Sequence, residues 1–170
     1  MSKDERIVVG QADGDIPVLT ASEVSKISAE MVGLSKHQLD IVSRSLEPLI
    51  YNTPAFIAAT KNLVLNRRGR VRIIVLEPAN LVSNGNHRLV DLVMRVSSLM
   101  EIRRPGEYHL AFNEAMLIAD RRQVVHRKHS DRYAGVANFN APRLASNLSE
   151  TFEAIWQNAE TPPDFRRLML

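Results

Sequence analysis

The amino-acid sequence predicts an α/β sandwich, and three observations carry the prediction. Helical and strand-like patterns alternate along most of the 170 residues, as they do when a sheet is flanked by helices. The run Val71 to Leu76 is apolar except for Arg72, rich in β-branched residues and too short for a typical helix, which suits a strand covered on both faces. Near the end of the chain, Leu144, Leu148, Phe152, Ile155 and Trp156 step by three or four, placing them on one helical stripe.

Residues 1–19 show no clear periodicity, and Asp13-Gly14-Asp15 reads as a turn. Thr20-Ala21-Ser22-Glu23 has the form of a capping box, in which a hydroxyl and a carboxylate satisfy free amides at a helix start. Val24, Ile27, Met31 and Leu34 follow at helical spacing, giving a helix that ends near Lys36. Leu39, Ile41 and Val42 then suggest a short strand. Thr53-Pro54 opens the next helix, with Thr as cap and Pro where its missing amide costs nothing; Phe56, Thr60, Leu63 and Val64 form its inner face. The loop from Asn80 to Asn86, containing Asn84-Gly85, leads into a helix from His87 to Ser98 with Leu89, Val93 and Val96 inward and Asp91 and Arg95 paired outside. Met100 to Arg103 is a strand stopped by Pro105-Gly106. Three more strands follow, at Ala115–Ala119, Gln123–Arg127 and Tyr133–Ala137. Asn140 is the expected cap of the last long helix, with Pro142 in its first turn. Residues 20–160 therefore form the expected domain, and Pro162-Pro163 sets off a tail over residues 161–170.

With 45% apolar and 24% charged residues the chain supports one globular core. No stretch approaches the roughly 20 apolar residues that span a bilayer, and the first residues lead into no secretory apolar region, so a soluble cytoplasmic protein without membrane insertion is expected. The absence of Cys removes disulfides, thiolate nucleophiles and Cys-ligated zinc from consideration. The net charge is only +3, which permits an anionic partner without demanding one. Clustering is more informative: Arg67, Arg68, Arg70 and Arg72 lie together, as do Arg103 and Arg104, and then Arg121, Arg122, Arg127, Lys128 and Arg132. These segments either converge on a phosphate-rich ligand or form separate solvated rims.

The most telling segment is Asn113-Glu114-Ala115-Met116-Leu117-Ile118-Ala119-Asp120. Its spacing resembles the phospholipase D superfamily motif, in which His-x-Lys is followed, seven residues after the His, by Asp. Here Asn113 stands for the His and Ala115 for the Lys, and only Asp120 is kept. A carboxamide is not a nucleophile at neutral pH, and a methyl group cannot hold phosphoryl oxygens as charge develops. From about Leu39 to Ala159 the succession of elements also resembles one half of a phospholipase D-type domain, down to a closing helix with Phe152 and Trp156 four apart. The whole chain is similar to a proteobacterial family that forms a degenerate branch of this fold.

The resemblance implies a phospholipase D-like sandwich with a mixed sheet flanked by helices, no catalytic residues, and a homodimer, because active relatives bring two motifs to one pocket. It leaves Asp120 a structural role, accepting amide hydrogens at a turn.

Rival constellations are weaker. His126-Arg127-Lys128 supplies a His-x-Lys pair, but Tyr133 stands where the acid belongs, so a surface turn is the better reading. His126 and His129 with Asp131 lack a defined metal-ligand set, and neither a metal nor a cofactor is expected. His109 could act in acid–base chemistry like any accessible imidazole. Asn86-His87-Arg88 lies at a helix start, where free amides favour anions. No Gly-rich phosphate loop and no basic–aromatic stacking platform are present. The leading expectation is a non-catalytic domain that binds a phosphate-containing anion such as RNA, or a protein partner, with Asn86, His87, Arg88, Arg103 and Arg127 as anion contacts. The alternatives are a structural homodimeric adaptor and a divergent phosphodiesterase using His109 or His126.

Overall fold

A computed structural model describes residues 14–79, 81 and 85–168. Residues 1–13 of the unpatterned N-terminal segment, Asn84 of the expected loop and Met169 and Leu170 of the tail lie outside the described residues. Seven strands form one mixed sheet: β1 (Ile16–Val18), β2 (Gln38–Ser43), β3 (Arg70–Val75), β4 (Met100–Arg103), β5 (Ala115–Ala119), β6 (Gln123–Arg127) and β7 (Gly135–Asn138). Their order across the sheet is β1-β7-β6-β5-β2-β3-β4. β2, β3 and β4 run parallel, whereas β5 lies antiparallel to β2 and begins an antiparallel series through β6 and β7 to β1.

Helices cover both faces. On one side lie α1 (Ala21–Leu34), α2 (Pro48–Tyr51), α3 (Pro54–Lys61) and α4 (Arg88–Arg95), packed on Leu39, Ile41, Val71, Ile73, Leu117 and Val125. On the other lies α5 (Pro142–Asn158), whose Leu148, Phe152, Ile155 and Trp156 meet Val42, Ile74, Met116, Ile118 and Val124. Alternate residues of each strand thus feed opposite cores, which is why the central strands β2 and β5 are buried along nearly their whole length.

Local signals hold at several ends. The Thr20 hydroxyl accepts from the Glu23 amide at 3.2 Å while the Glu23 carboxylate accepts from the Leu19 amide at 2.9 Å. The Thr53 hydroxyl accepts from the Phe56 amide at 3.2 Å. Other boundaries move. α1 stops at Leu34, and α3 relaxes into a π-helical turn over Asn62–Asn66. α4 ends at Arg95 instead of Ser98, and β7 begins at Gly135 instead of Tyr133. The cap of α5 is Ala141, because the Asn140 side chain accepts from Arg122 at 2.9 Å and is not free to cap.

Two stretches read as peripheral are packed into the molecule. Ile16–Val18 pairs with β7, burying Val18. After Pro162, α6 (Pro163–Leu168) seats Phe165, 2% exposed, in the core beneath the first face. Phe165 supplies the apolar anchor that overrides the breaking effect of the two prolines.

Candidate functional site

β5 carries the segment that resembles the phospholipase D motif, and its two ends serve different purposes. At the C-terminal end, Asp120 and Arg121 both have positive φ, 53° and 55°, and the Arg122 amide donates to the Ala119 carbonyl at 3.1 Å. This is a two-residue turn with both central residues left-handed, the type that matches strand twist in a hairpin. Asp can adopt that conformation more readily than most residues. Its carboxylate accepts from the backbone amides of Lys36, His37 and Gln38 at 2.8, 2.9 and 2.9 Å and from the Ser35 hydroxyl at 3.0 Å. Burial alone would push this carboxyl up, but those four donors outweigh it and hold it below the usual carboxylate range. Asp120 therefore accepts turn amides as expected, but those of the α1–β2 loop and not those of its own turn.

At the N-terminal end of β5, Asn113 is exposed; its side chain accepts from the Ser130 hydroxyl, and its carbonyl accepts from the Ser130 amide at 2.9 Å. Ala115 is 1% exposed and stands in register with Arg127 of β6. The Arg127 guanidinium, 2% exposed, donates to the carbonyls of Arg132 at 2.7 Å and Ser130 at 3.1 Å and forms an ion pair with Glu47 at 2.9 Å. Glu47 in turn accepts from the Ser43 hydroxyl at 2.6 Å. At the first and third positions of the segment there is thus an amide tied to a loop and a packed methyl group backed by an internal ion pair.

The other expected contacts separate. His87 is 8% exposed, its Nε2 lies 2.9 Å from the Leu46 carbonyl, and burial pulls its imidazole down towards the neutral form. Arg88 is occupied by Asn52, through the side-chain oxygen at 3.2 Å and the carbonyl at 2.7 Å, and Asn86, at φ 60°, accepts from the Asn52 amide through its carbonyl. His87 and Arg127 meet the adjacent residues Leu46 and Glu47, and both are consumed by these internal partners. His126 lies on the opposite face of β6 from Arg127, 3.5 Å from Glu114; His109 sits in a single 3-10 turn, Glu107–His109. The two imidazoles lie on separate elements.

Arg103 differs. It projects on the α5 face, donates to Glu101 at 2.8 Å and to the Trp156 carbonyl at 3.1 Å, and stacks 4.1 Å above the Trp156 ring. It lines a cleft of about 350 Å³ together with Arg70, Ser97, Ser98 and Arg121. Beneath the cleft is a buried ion network that sequence reasoning missed. Arg72 donates to both oxygens of Asp40, at 2.8 and 3.0 Å, and to Glu153 of α5, and lies 4.8 Å from the Phe152 ring centre. The signal was present as the single charge interrupting each of two apolar strands, Asp40 in β2 and Arg72 in β3. Among the described residues no cluster of three or more His, Asp or Glu side chains is gathered to hold a metal, and no helix is long and apolar enough to cross a membrane.

The family model for a Domain of unknown function (DUF7931) matches residues 20–168. The chain belongs to that family. No curated protein matches its sequence. Among solved structures, the fold is similar to Nuc from Salmonella typhimurium, a phospholipase D family member, with a TM-score of 0.59 and 18% identity over 86% of this chain and 97% of that one. It is similar to NucT from Helicobacter pylori, with a TM-score of 0.58 and 11% identity over 88% and 99%. TrmBL2, an archaeal chromatin protein with a novel mode of DNA binding, gives a TM-score of 0.66 and 15% identity over 92% of this chain; the chain spans 56% of its length. These likenesses establish the phospholipase D-like α/β fold, with its mixed seven-stranded sheet between helices.

Proposed function

We propose that this protein is a phospholipase D-fold domain that binds a phosphate-containing anion without cleaving it. The observation that carries this reading is the state of the motif strand: Asn113 is held by Ser130, and Ala115 is buried against Arg127. Neither can attack phosphorus or neutralise a transferring phosphoryl group. An anionic ligand such as RNA is favoured over a protein partner because Arg70 and Arg121 line the same cleft as Arg103. The DNA-binding role printed for the chromatin protein of the same fold is consistent with such a use. The test is turnover of a generic phosphodiester such as bis(p-nitrophenyl) phosphate and of a labelled RNA. No turnover is expected from the wild type. Hydrolysis abolished by His109→Ala or His126→Ala would overturn the proposal in favour of a divergent phosphodiesterase.

A further inference from the structure

The end of the sheet occupied by Asp120 is strongly basic, and that charge is assembled from three segments far apart in sequence. The Asp120 carboxylate fixes Lys36 and His37 through their amides. The Arg70 amide donates to the His37 carbonyl at 2.9 Å, and Arg70 stands in register with Gln38. The Arg67 guanidinium reaches the Ser35 carbonyl at 2.6 Å. The hairpin turn then adds Arg121 and Arg122. Lys36, Arg67, Arg68, Arg70, Arg121 and Arg122 are all exposed at this one end. Lys36, Arg68 and Arg70 enter no ion pair among the described residues.

Most acids nearby are already committed, Asp120 to the amides of Lys36, His37 and Gln38, Asp40 and Glu153 to Arg72, and Glu101 to Arg103, while Glu150 stands beside Arg121 and offsets one of the six cations. Net positive charge therefore remains on the rim, next to the Arg70–Arg103–Arg121 cleft with its two serine hydroxyls. A lone phosphate would use one or two of these cations. Six spread around a sheet end and leading into a cleft suit successive phosphates of a polymer, which bind by displacing counterions. Few aromatic side chains are exposed there, so readout of bases is not provided for.

We infer that the Asp120 end of the sheet is a docking surface for the sugar–phosphate backbone of RNA, gripped without regard to sequence and remote from the inherited motif site at Asn113. The two places lie beyond opposite ends of β5, roughly 20 Å apart along the strand at about 3.3 Å per residue. This inference rests on the reading of the protein as a phosphate binder, but it can fail or succeed independently of whether the protein is catalytic.

The experiment is fluorescence polarisation of a 20-nucleotide labelled RNA against the full chain over a range of salt, with a denaturing gel to detect cleavage. Binding should weaken with salt with a log–log slope of about −4, at roughly 0.7 for each of six phosphate contacts. Arg70→Glu/Arg121→Glu should lower affinity by about tenfold or more and flatten the slope. Lys128→Glu/Arg132→Glu, at the far end of β6, makes the same change in net charge and should leave binding within about twofold. Circular dichroism and thermal unfolding confirm that both variants are folded. Equal losses from the two pairs, absence of salt-sensitive RNA binding, or equally tight binding of polyglutamate would overturn the inference. RNA that is bound at this end and also cleaved would sustain it while refuting the non-catalytic function.

Discussion

Asp120 holds the chain together through its carboxylate. It ties a hairpin turn to a loop more than 80 residues earlier, through three amides and a hydroxyl. Asn also tolerates the left-handed backbone at this position, so Asp120→Asn isolates the effect of charge. The variant should lose about 2 kcal/mol of unfolding free energy at neutral pH, the scale of hydrogen bonds to one charged group, tempered by partial solvent exposure. Because the folded carboxyl is held low, its contribution is complete above the unfolded value of about 3.9 and disappears as pH falls through the folded value. Urea melts of both proteins between pH 6 and pH 3 should converge towards the acid end; a constant gap would refute the charge account. That Asp120 is structural was legible from the missing His and Lys. Its partners were not, since nothing local to either segment encodes their meeting. For the same reason Arg127 read as a ligand contact: the sequence shows a charge near a turn, while the acid that pairs with it, Glu47, comes from the distant segment between β2 and α2.

At the scale of elements, α5 is bonded to the sheet by more than apolar contact. Phe152 and Trp156 stack at 5.7 Å with 17° between their planes, Arg72 and Arg103 lie over those rings, and Arg72 ties β2 and β3 to Glu153. Burial pushes the Asp40 carboxyl up, and the Arg72 guanidinium and the Gln38 amide draw it back. Removing Arg72 leaves that carboxylate buried and unpaired, so Arg72→Met should cost about 3 kcal/mol. Replacing both partners, Asp40→Leu with Arg72→Met, should recover most of the loss, because neither charge is then stranded. Chemical denaturation of the two single variants and the double completes the cycle, and additive losses would show that the ion pair is not the source of stability. The helix stripe itself was plain in the sequence, as were the central strands, because period and length suffice to mark them; the three-residue β1 was too short to show either. The pairing of one isolated charge in β2 with one in β3 was not, since it depends on parallel register.

Over the whole molecule, the chain closes on itself at both described ends. β1 joins the sheet beyond β7, while Arg104 and Glu160 exchange backbone bonds of 2.8 and 3.0 Å and lead α6 back to the core. Phe165→Ala should therefore cost about 3 kcal/mol, the loss usual for emptying a buried aromatic site. It should lower the urea midpoint while leaving the affinity for RNA at the Asp120 end unchanged. An unaltered midpoint would mean that α6 contributes nothing to the folded unit. The α/β class follows from alternation alone, but the mixed strand order does not. A switch from parallel to antiparallel pairing at β2–β5 is decided by crossovers and core packing, which no short window of residues records.

The sheet's outermost strands are brief, three residues in β1 and four in β4, and beyond β4 the chain is engaged by the Arg104–Glu160 bridge. Among the described residues, neither margin offers a long row of vacant amides to an incoming peptide. Growth of the sheet into fibrils by lateral addition has little template here, so crowding should favour discrete particles over filaments.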